Sequence, residues 1–191
     1  FQGSITALIT PFLNGSIDEK GFMRFVDWQI AEGTNGLVPV GTTGETPTLS
    51  HDEHKLVVEL CIKAAKKRVP VIAGAGSNST DEAIDLTQFA KAAGADAVLH
   101  STGYYNKPTQ DGLYLHFKAI NDACDLPFIV YNVPARTVVD ISAATMARIS
   151  ELKNFAGIKD ATANVARQSQ HRQLIRKPFA ALSGEDGTVL G

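Results

Sequence analysis

The sequence lacks the features of a membrane, nucleic-acid-binding or metal-binding protein. No apolar run approaches the roughly 20 residues that a transmembrane helix needs, and a formal net charge of -2 offers no basic surface to nucleic acid. The first residues lack the basic head and long apolar stretch of a secretory signal. His51 and His54 are close in sequence, but no cysteine or carboxylate completes a zinc-binding set with them. We therefore expect no membrane contact, no nucleic-acid partner and no metal site.

Cysteine is scarce as well. The two cysteines, Cys61 and Cys124, lie in helical patterns among Leu, Ile and Ala. Buried cysteines of this kind act as small apolar residues, and unpaired thiols persist where the compartment is reducing. We therefore expect free, buried cysteines and a cytoplasmic location.

Short apolar runs rich in β-branched residues recur along the chain, with helical periodicity between most of them. Seven such runs are predicted strands: Ile5–Ile9, Leu37–Val40, Val69–Ala73, Ala97–Leu99, Phe128–Tyr131, Phe155–Ile158 and Phe179–Leu182. Helix ends are indicated by capping boxes at Ser50 with Glu53 and at Ser79 with Glu82, by the terminating glycine Gly94 and by the N-cap Ser142. Strand and helix therefore alternate.

This alternation predicts an α/β fold with a parallel sheet. The strands are apolar on both faces, so we expect both faces to be covered. Seven strands with six intervening helices favour a (β/α)8 TIM barrel over an open sheet, which periodicity alone does not exclude. Such a barrel takes about 250 residues, and this chain stops at Gly191. We expect one domain over residues 1–191 that holds the first seven strands, with the C-terminal part absent.

The reactive groups of a (β/α)8 barrel gather where its strands end. Lys159 follows the apolar run Phe155–Ile158, whereas the other ten lysines lie in helices or polar loops. A lysine at a strand end is either paired with an acid, here Asp160 or Glu185, or has a depressed pKa that favours the nucleophilic amine. Asp160 is poorly placed for pairing, because adjacent strand residues point to opposite faces. Both interpretations remain open on these grounds.

Three further features at strand ends fit the same chemistry, each weakly. The turn GTTGE offers hydroxyl and amide donors to a small carboxylate, although most such turns are only turns. Tyr131 can carry a proton or simply pack as an aromatic residue. Arg136 can clamp a carboxylate or lie solvated in its loop.

Five motifs occur together in the order GTTGET, GAGSNST, YYNKP, YNVPART and GIKDAT. With them the chain resembles the dihydrodipicolinate synthase family, within the pyruvate-dependent class I aldolases that include N-acetylneuraminate lyase. The similarity runs from GSITALITPF to SGED and covers essentially the whole chain. It implies a (β/α)8 barrel that condenses pyruvate with L-aspartate 4-semialdehyde, without a cofactor, on the diaminopimelate route to lysine.

The resemblance also implies roles for individual residues. Lys159 matches the lysine that forms the Schiff base with pyruvate, and Tyr131 matches the tyrosine that relays protons. Further matches are the hydrogen-bond partners of that tyrosine (Thr42 and Tyr105), the cradle for the pyruvate carboxylate (Thr42 and Thr43), the clamp for the semialdehyde carboxylate (Arg136) and a backbone group lining the pocket (Gly184). Asp160 stands where many members have Glu, a change from which we expect little effect on the chemistry.

Assembly and regulation are implied in the same way. Tyr105 matches a residue that reaches into a neighbouring subunit's site, which implies a homodimer and usually a tetramer of two dimers. A lysine-binding inhibitory pocket is implied at His51, His54, Asn78, Glu82 and Tyr104. Thr46 and Pro47 stand where some lysine-sensitive members have Ser and Ala, so the strength of inhibition stays open.

Two alternative functions remain open from the sequence. One is a related pyruvate aldolase that cleaves a sugar acid, against which Arg136 argues, because a second carboxylate clamp matches the semialdehyde. The other is a catalytically inert barrel that serves as a binding or assembly module.

Overall fold

The structure, a computed structural model, describes residues 1–190 and shows the predicted alternation of strands and helices. The strands are β1 (Ile5–Ala7), β2 (Phe12–Leu13), β3 (Ser16–Ile17), β4 (Gly36–Val38), β5 (Ile72–Gly74), β6 (Ala97–Ser101), β7 (Phe128–Asn132), β8 (Phe155–Asp160) and β9 (Ala180–Ser183). The helices are α1 (Glu19–Ala31), α2 (His51–Ala65), α3 (Thr80–Ala93), α4 (Gln110–Ala123), α5 (Pro134–Thr137), α6 (Ala143–Ser150) and α7 (Ala166–Leu174). All seven predicted strands are therefore present.

The described chain forms two compact units. The first contains residues 1–75 and 86–99, and the second contains residues 76–85 and 100–190. In the first, β1 pairs in parallel with β4, Leu37 of β4 bridges in parallel to Val71, and β5 pairs in parallel with β6. In the second, β7, β8 and β9 form a parallel sheet in that order. Each unit thus consists of the parallel strand–helix repeats from which a (β/α)8 barrel is built. The single domain remains a prediction.

The second unit has an apolar core in which α4 packs against its sheet. The Phe117 ring of α4 stacks on Phe128 of β7 with 6.0 Å between centroids. Phe128 in turn meets Phe155 of β8 edge to face, also at 6.0 Å. Burial of such large aromatic groups holds strand and helix together. The amino ends of β7 and β8 are thereby fixed side by side.

The predicted helix ends are largely confirmed. The hydroxyl of Ser50 and the carboxylate of Glu53 form the reciprocal capping box of α2, and Ser142 caps α6 through the Thr145 N–H. Gly94 follows α3 with a φ of +96°, a conformation that glycine adopts without strain. The second box differs, since Ser79 accepts from the Glu82 N–H while its own N–H donates to Ser77, whose hydroxyl bonds Glu82.

The cysteine prediction is also confirmed. Cys61 and Cys124 are free and buried. Burial raises the pKa of Cys61 to about 12, because the thiolate is poorly solvated in an apolar environment. Neither thiol is a candidate nucleophile.

Two features differ from the sequence prediction. Lys159 does not follow its strand but belongs to it, because β8 continues to Asp160 by pairing with β7 and β9 on either side. A small antiparallel hairpin of β2 and β3 was not predicted. Its turn is Asn14–Gly15, both with positive φ, the conformation that two-residue hairpin turns require.

Candidate active site

Lys159 lies near the carboxyl end of β8, the central strand of the second unit's sheet. In the register of that sheet it is paired with Tyr131 on β7 and with Leu182 on β9. Paired residues on neighbouring strands point to the same face. The amine and the tyrosine therefore share one face at the end of the sheet where (β/α)8 barrels place their reactive groups.

The Lys159 amine rests against the Tyr131 ring. Its Nζ lies 4.4 Å from the ring centroid, and the side chain is half-buried. Burial lowers the pKa of Lys159, because the ammonium loses hydration that the ring replaces only in part. Among residues 1–190 this amine makes no ion pair, which excludes a salt bridge to Asp160 or Glu185 there. A lysine of this kind can act as a nucleophile.

The pKa of the Tyr131 phenol is shifted in the opposite direction to that of Lys159. Its own burial raises its pKa, and the positive charge of Arg136 lowers it to a smaller extent. The phenol therefore keeps its proton at neutral pH, so it can donate a hydrogen bond or a proton to a bound carbonyl oxygen. An amine and a proton donor on one face are the two groups that imine formation uses.

Gly184, just after β9, lies directly beside the Lys159 side chain. A β-carbon at this position would be 2.9 Å from Lys159 Cε and 3.2 Å from the Ala161 β-carbon. The Gly184 N–H donates to the Asp160 carbonyl at 2.7 Å. The absence of a side chain at Gly184 leaves the space through which the lysine passes.

Arg136 and Tyr105 lie on neighbouring segments of the second unit. Arg136 is exposed on the short helix α5, and among the described residues its guanidinium has no ion pair. The Tyr105 N–H donates to the carbonyl of Thr137, the residue after Arg136, at 3.4 Å. Tyr105 has a φ of +75° and is 87% exposed. Both side chains are available to a ligand or partner.

Thr42 and Thr43 belong to the first unit. They open a 3-10 turn, Thr42–Gly44, that follows β4. The hydroxyl of Thr10 donates to the carbonyl of Gly44 at 2.8 Å and anchors this turn. The first amide groups of such a turn have no partner within it, so the turn presents exposed hydroxyl and amide donors.

The residues of the predicted lysine pocket fall into both units. In the first, His54 is buried, with ring nitrogens bonded to Thr46 at 3.1 Å and to the Gly74 carbonyl at 2.9 Å, while His51 is exposed. In the second, the Asn78 amide bonds the Tyr104 backbone in both directions. Glu82 lies on α3, where the Ser77 hydroxyl donates to it. Asn78 and Tyr104 are thus held together, and the pocket stays a prediction.

Sequence reasoning missed a polar cluster on the opposite face of β7 and β8, which we call the outer cluster. It consists of Asn132, Asp140, Asp160, Thr162, Arg167 and His171. Side-chain hydrogen bonds join Asn132 and Arg167 to Asp140, and Thr162 to Asp160. His171 is close enough to feel the charges of Asp140, Asp160 and Arg167. Asn132, Asp160 and His171 are buried. No motif indicated this cluster, although a buried acid one residue after the candidate lysine was a usable signal.

Neither a metal site nor a membrane span is found in the described part of the chain. Over residues 1–190, no three His, Cys, Asp or Glu side chains come together as a metal-binding group would. The helices in the same range are too short or too polar to cross a bilayer.

Comparison with known proteins identifies relatives along the whole chain. Residues 1–191 match the family described as "Dihydrodipicolinate synthetase family". A 4-hydroxy-tetrahydrodipicolinate synthase from Parvibaculum lavamentivorans is 66% identical over 191 residues, covering 100% of this chain and 66% of that protein. Matches at this identity share fold as well as family.

Solved structures agree. The 4-hydroxy-tetrahydrodipicolinate synthase of Methylacidiphilum fumariolicum SolV has a TM-score of 0.97 at 47% identity, covering 100% of this chain and 64% of its own. The dihydrodipicolinate synthase of Acinetobacter baumannii, crystallised with pyruvate, has a TM-score of 0.95 at 53% identity. The match covers 98% of this chain and 65% of that one. The enzyme of Cyanidioschyzon merolae, with lysine bound, has a TM-score of 0.94 at 37% identity. The match covers 98% of this chain and 64% of that one.

These comparisons confirm the predicted (β/α)8 barrel class and the predicted resemblance. The chain spans 64% to 66% of the length of these relatives.

Proposed function

The chain belongs to the dihydrodipicolinate synthetase family, and we propose that it forms a Schiff base between Lys159 and pyruvate and condenses it with L-aspartate 4-semialdehyde. The observation that carries the proposal is the half-buried Lys159 amine, 4.4 Å from the Tyr131 ring centroid. The Acinetobacter baumannii relative, named as a complex with pyruvate, supports the first substrate.

The first step is imine formation. The neutral Lys159 amine adds to the keto carbon of pyruvate, and the carbonyl oxygen takes up a proton. Tyr131 is suited to deliver that proton, because burial keeps its phenol protonated at neutral pH. Water then leaves, and the nitrogen is left in a protonated imine. No cofactor is needed, because the lysine itself holds the covalent intermediate.

The imine then becomes a carbon nucleophile. Loss of a proton from the methyl carbon of the bound pyruvate gives an enamine, which adds to the aldehyde carbon of the semialdehyde. The amine of the semialdehyde next attacks the imine carbon and displaces Lys159, which closes the ring of 4-hydroxy-tetrahydrodipicolinate. By its net reaction the enzyme is a carbon–oxygen lyase, on the diaminopimelate route to lysine.

Carboxylate recognition is assigned to two sets of donors. Thr42 and Thr43 offer the hydroxyl and amide groups of their turn to the pyruvate carboxylate, and Thr42 and Tyr105 extend the proton path from Tyr131. Arg136, exposed and without an ion pair among the described residues, holds the carboxylate of the semialdehyde by a bidentate pair. Gly184 lines the pocket next to the lysine.

Assembly, regulation and location complete the proposal. The 87% exposed Tyr105 is suited to reach a second copy of the chain, in a tetramer of two dimers. Feedback inhibition by L-lysine at His51, His54, Asn78, Glu82 and Tyr104 is supported by the lysine-bound relative from Cyanidioschyzon merolae. The free buried cysteines fit a cytoplasmic location.

The test is an assay of the full-length protein with two substrate sets. Pyruvate with L-aspartate 4-semialdehyde should give the cyclic product, whereas N-acetylneuraminate should not be cleaved. Turnover of the sugar acid alone would establish the alternative aldolase and refute the proposed substrate. No turnover of either, by folded protein, would favour an inert barrel.

A further inference from the structure

The ends of β7 and β8 present two pairs of residues on opposite faces. Tyr131 pairs with Lys159, and the next residues, Asn132 and Asp160, pair with each other. Successive strand residues alternate between faces, so Asn132 and Asp160 point away from the amine. Asn132 is 0% exposed and Asp160 is 8% exposed. A buried carboxylate thus lies on the opposite face of the sheet, one residue after the proposed nucleophile.

Asp160 forms hydrogen bonds with the turn after β8 and with the end of β9. Its Oδ1 accepts from the Thr162 N–H at 2.9 Å and from the Thr162 hydroxyl at 2.6 Å. Its carbonyl accepts from the Gly184 N–H at 2.7 Å, and Gly184 borders the Lys159 side chain. Asp160 therefore fixes the turn that follows Lys159 and, through its backbone, the glycine that makes room for it.

The outer cluster connects the end of β7 to the segment that follows α5. The Asn132 carbonyl accepts from the Ala161 N–H at 2.9 Å, and its side-chain amide donates to Asp140 at 2.8 Å. Arg167 then bonds Asp140 at 2.6 Å and the Ile141 carbonyl at 2.7 Å. Hydrogen bonds on the face opposite Lys159 thus connect the residues after Lys159 to the loop after Tyr131.

We propose that Asp160 is a positioning residue for Lys159, acting through the hydrogen bonds of its side chain to Thr162 to hold the amine in line with the keto carbon of pyruvate. This role rests on the proposed function. A buried side chain that bonds the turn after a nucleophile sets its direction, and a displacement of about 1 Å can cost 100-fold in rate.

The hydrogen bonds, rather than the negative charge, carry this role. The lowered pKa of Lys159 has burial as its cause, and the charged groups around Asp160 are those of the outer cluster. His171 of α7 is fully buried. Burial is the largest influence on the pKa of His171 and lowers it. Asp160 and Asp140 act in the opposite direction, and Arg167 adds to the lowering. Within residues 1–190, Asp160 Oδ2 has no hydrogen-bond partner. An asparagine amide can therefore replace Oδ2 while Oδ1 still accepts from Thr162.

The test compares Asp160→Ala with Asp160→Asn in the full-length protein. The readouts are the limiting rate of Schiff-base formation at saturating pyruvate, the half-saturating pyruvate concentration and the pH midpoint of the rate. Asp160→Ala should lower the limiting rate by about tenfold or more, because the amine is misdirected. The half-saturating pyruvate concentration should change by less than about twofold. Asp160→Asn should stay within about threefold, with the same pH midpoint.

Ser150→Ala is the matched control for lost stability. Ser150 is buried and its hydroxyl bonds Ala147 within its own helix, so the change should leave the limiting rate unaltered. If Asp160→Ala does not fold, Thr162→Val serves as the test variant instead. This change removes the 2.6 Å bond from the Thr162 hydroxyl to Asp160, at a partly exposed position. A lowered limiting rate with an unchanged half-saturating pyruvate concentration supports the role.

Three results would overturn the role. They are a folded Asp160→Ala protein with the wild-type rate, an Asp160→Asn protein as slow as Asp160→Ala or shifted in pH midpoint, and a Thr162→Val protein with the wild-type rate. In each, wild-type protein still forms the Schiff base, so the proposed function stands. A wild-type protein that forms none would instead overturn the proposed function, and this role with it.

Discussion

The Nζ of Lys159 lies 4.4 Å from the centroid of the Tyr131 ring, and the two residues are direct partners in the parallel register of β7 and β8. Backbone pairing thus places the proposed nucleophile and the proposed proton donor side by side without help from a flexible loop. Rigid strands hold reacting groups more accurately than loops do.

Tyr131→Phe keeps the ring beneath the amine and removes only the hydroxyl. We expect Lys159 to remain reactive, while condensation slows by about 100-fold or more, because the proton donor for the carbonyl oxygen is lost. Steady-state kinetics with both substrates measures the effect. Tyr114→Phe is the control, since the Tyr114 ring lies under Arg148 on a different surface. Equal rates for Tyr131→Phe and wild type would refute the proton-relay role.

Lys159 and Lys118 should titrate on opposite sides of the ordinary lysine pKa. Burial lowers the pKa of Lys159 below 10.5, whereas the hydrogen bond from Lys118 to Asp122 raises the pKa of Lys118 above it. The neutral amine of Lys159 is therefore populated at lower pH. Competitive acylation followed by mass spectrometry should give a lower pH midpoint for Lys159. A midpoint equal to that of Lys118 would be incompatible with a desolvated amine.

Gly184→Ala should slow Schiff-base formation. The added β-carbon would be 2.9 Å from Lys159 Cε, so the lysine must shift, and we expect a limiting rate lower by about tenfold or more. Gly187→Ala is a matched control on the same segment, because the atoms nearest to its β-carbon would belong to the flexible Glu185 side chain. If both variants form the imine as fast as wild type, Gly184 does not shape the pocket.

Arg136→Ala should separate the two substrates. The pyruvate imine should form normally, but KM for the semialdehyde should rise about 10- to 100-fold with the loss of a charge-assisted carboxylate contact. Arg148→Ala removes an arginine paired with Asp111 at 2.7 Å and serves as the control. Unchanged semialdehyde kinetics in Arg136→Ala would show that another group binds this carboxylate.

Much of the fold followed from the sequence because its strands and helices are specified locally. The capping box of Ser50 with Glu53 and the positive φ of Gly94 are set by residues that lie next to one another. The hairpin at Asn14–Gly15 carried an equally local signal. It was missed because its two strands have only two residues each, too short for hydrophobic periodicity.

The outer cluster could not be predicted, because its residues meet only through the fold. Asn132 and Asp160 are 28 positions apart and become neighbours through strand register. Arg167 reaches Asp140 from α7. The same long-range pairing moved the end of β8 beyond Lys159 to Asp160, although polar residues there favoured a loop.

Reduction of the full-length protein with borohydride in the presence of pyruvate tests the central claim most directly. Peptide mapping should place one stable pyruvate adduct on Lys159, and Lys159→Ala should abolish it. Lys177→Ala should keep it, since Lys177, whose pKa burial also lowers, bonds the Leu152 carbonyl at 2.9 Å. An adduct on Lys177 or no adduct on folded wild-type protein would contradict the account.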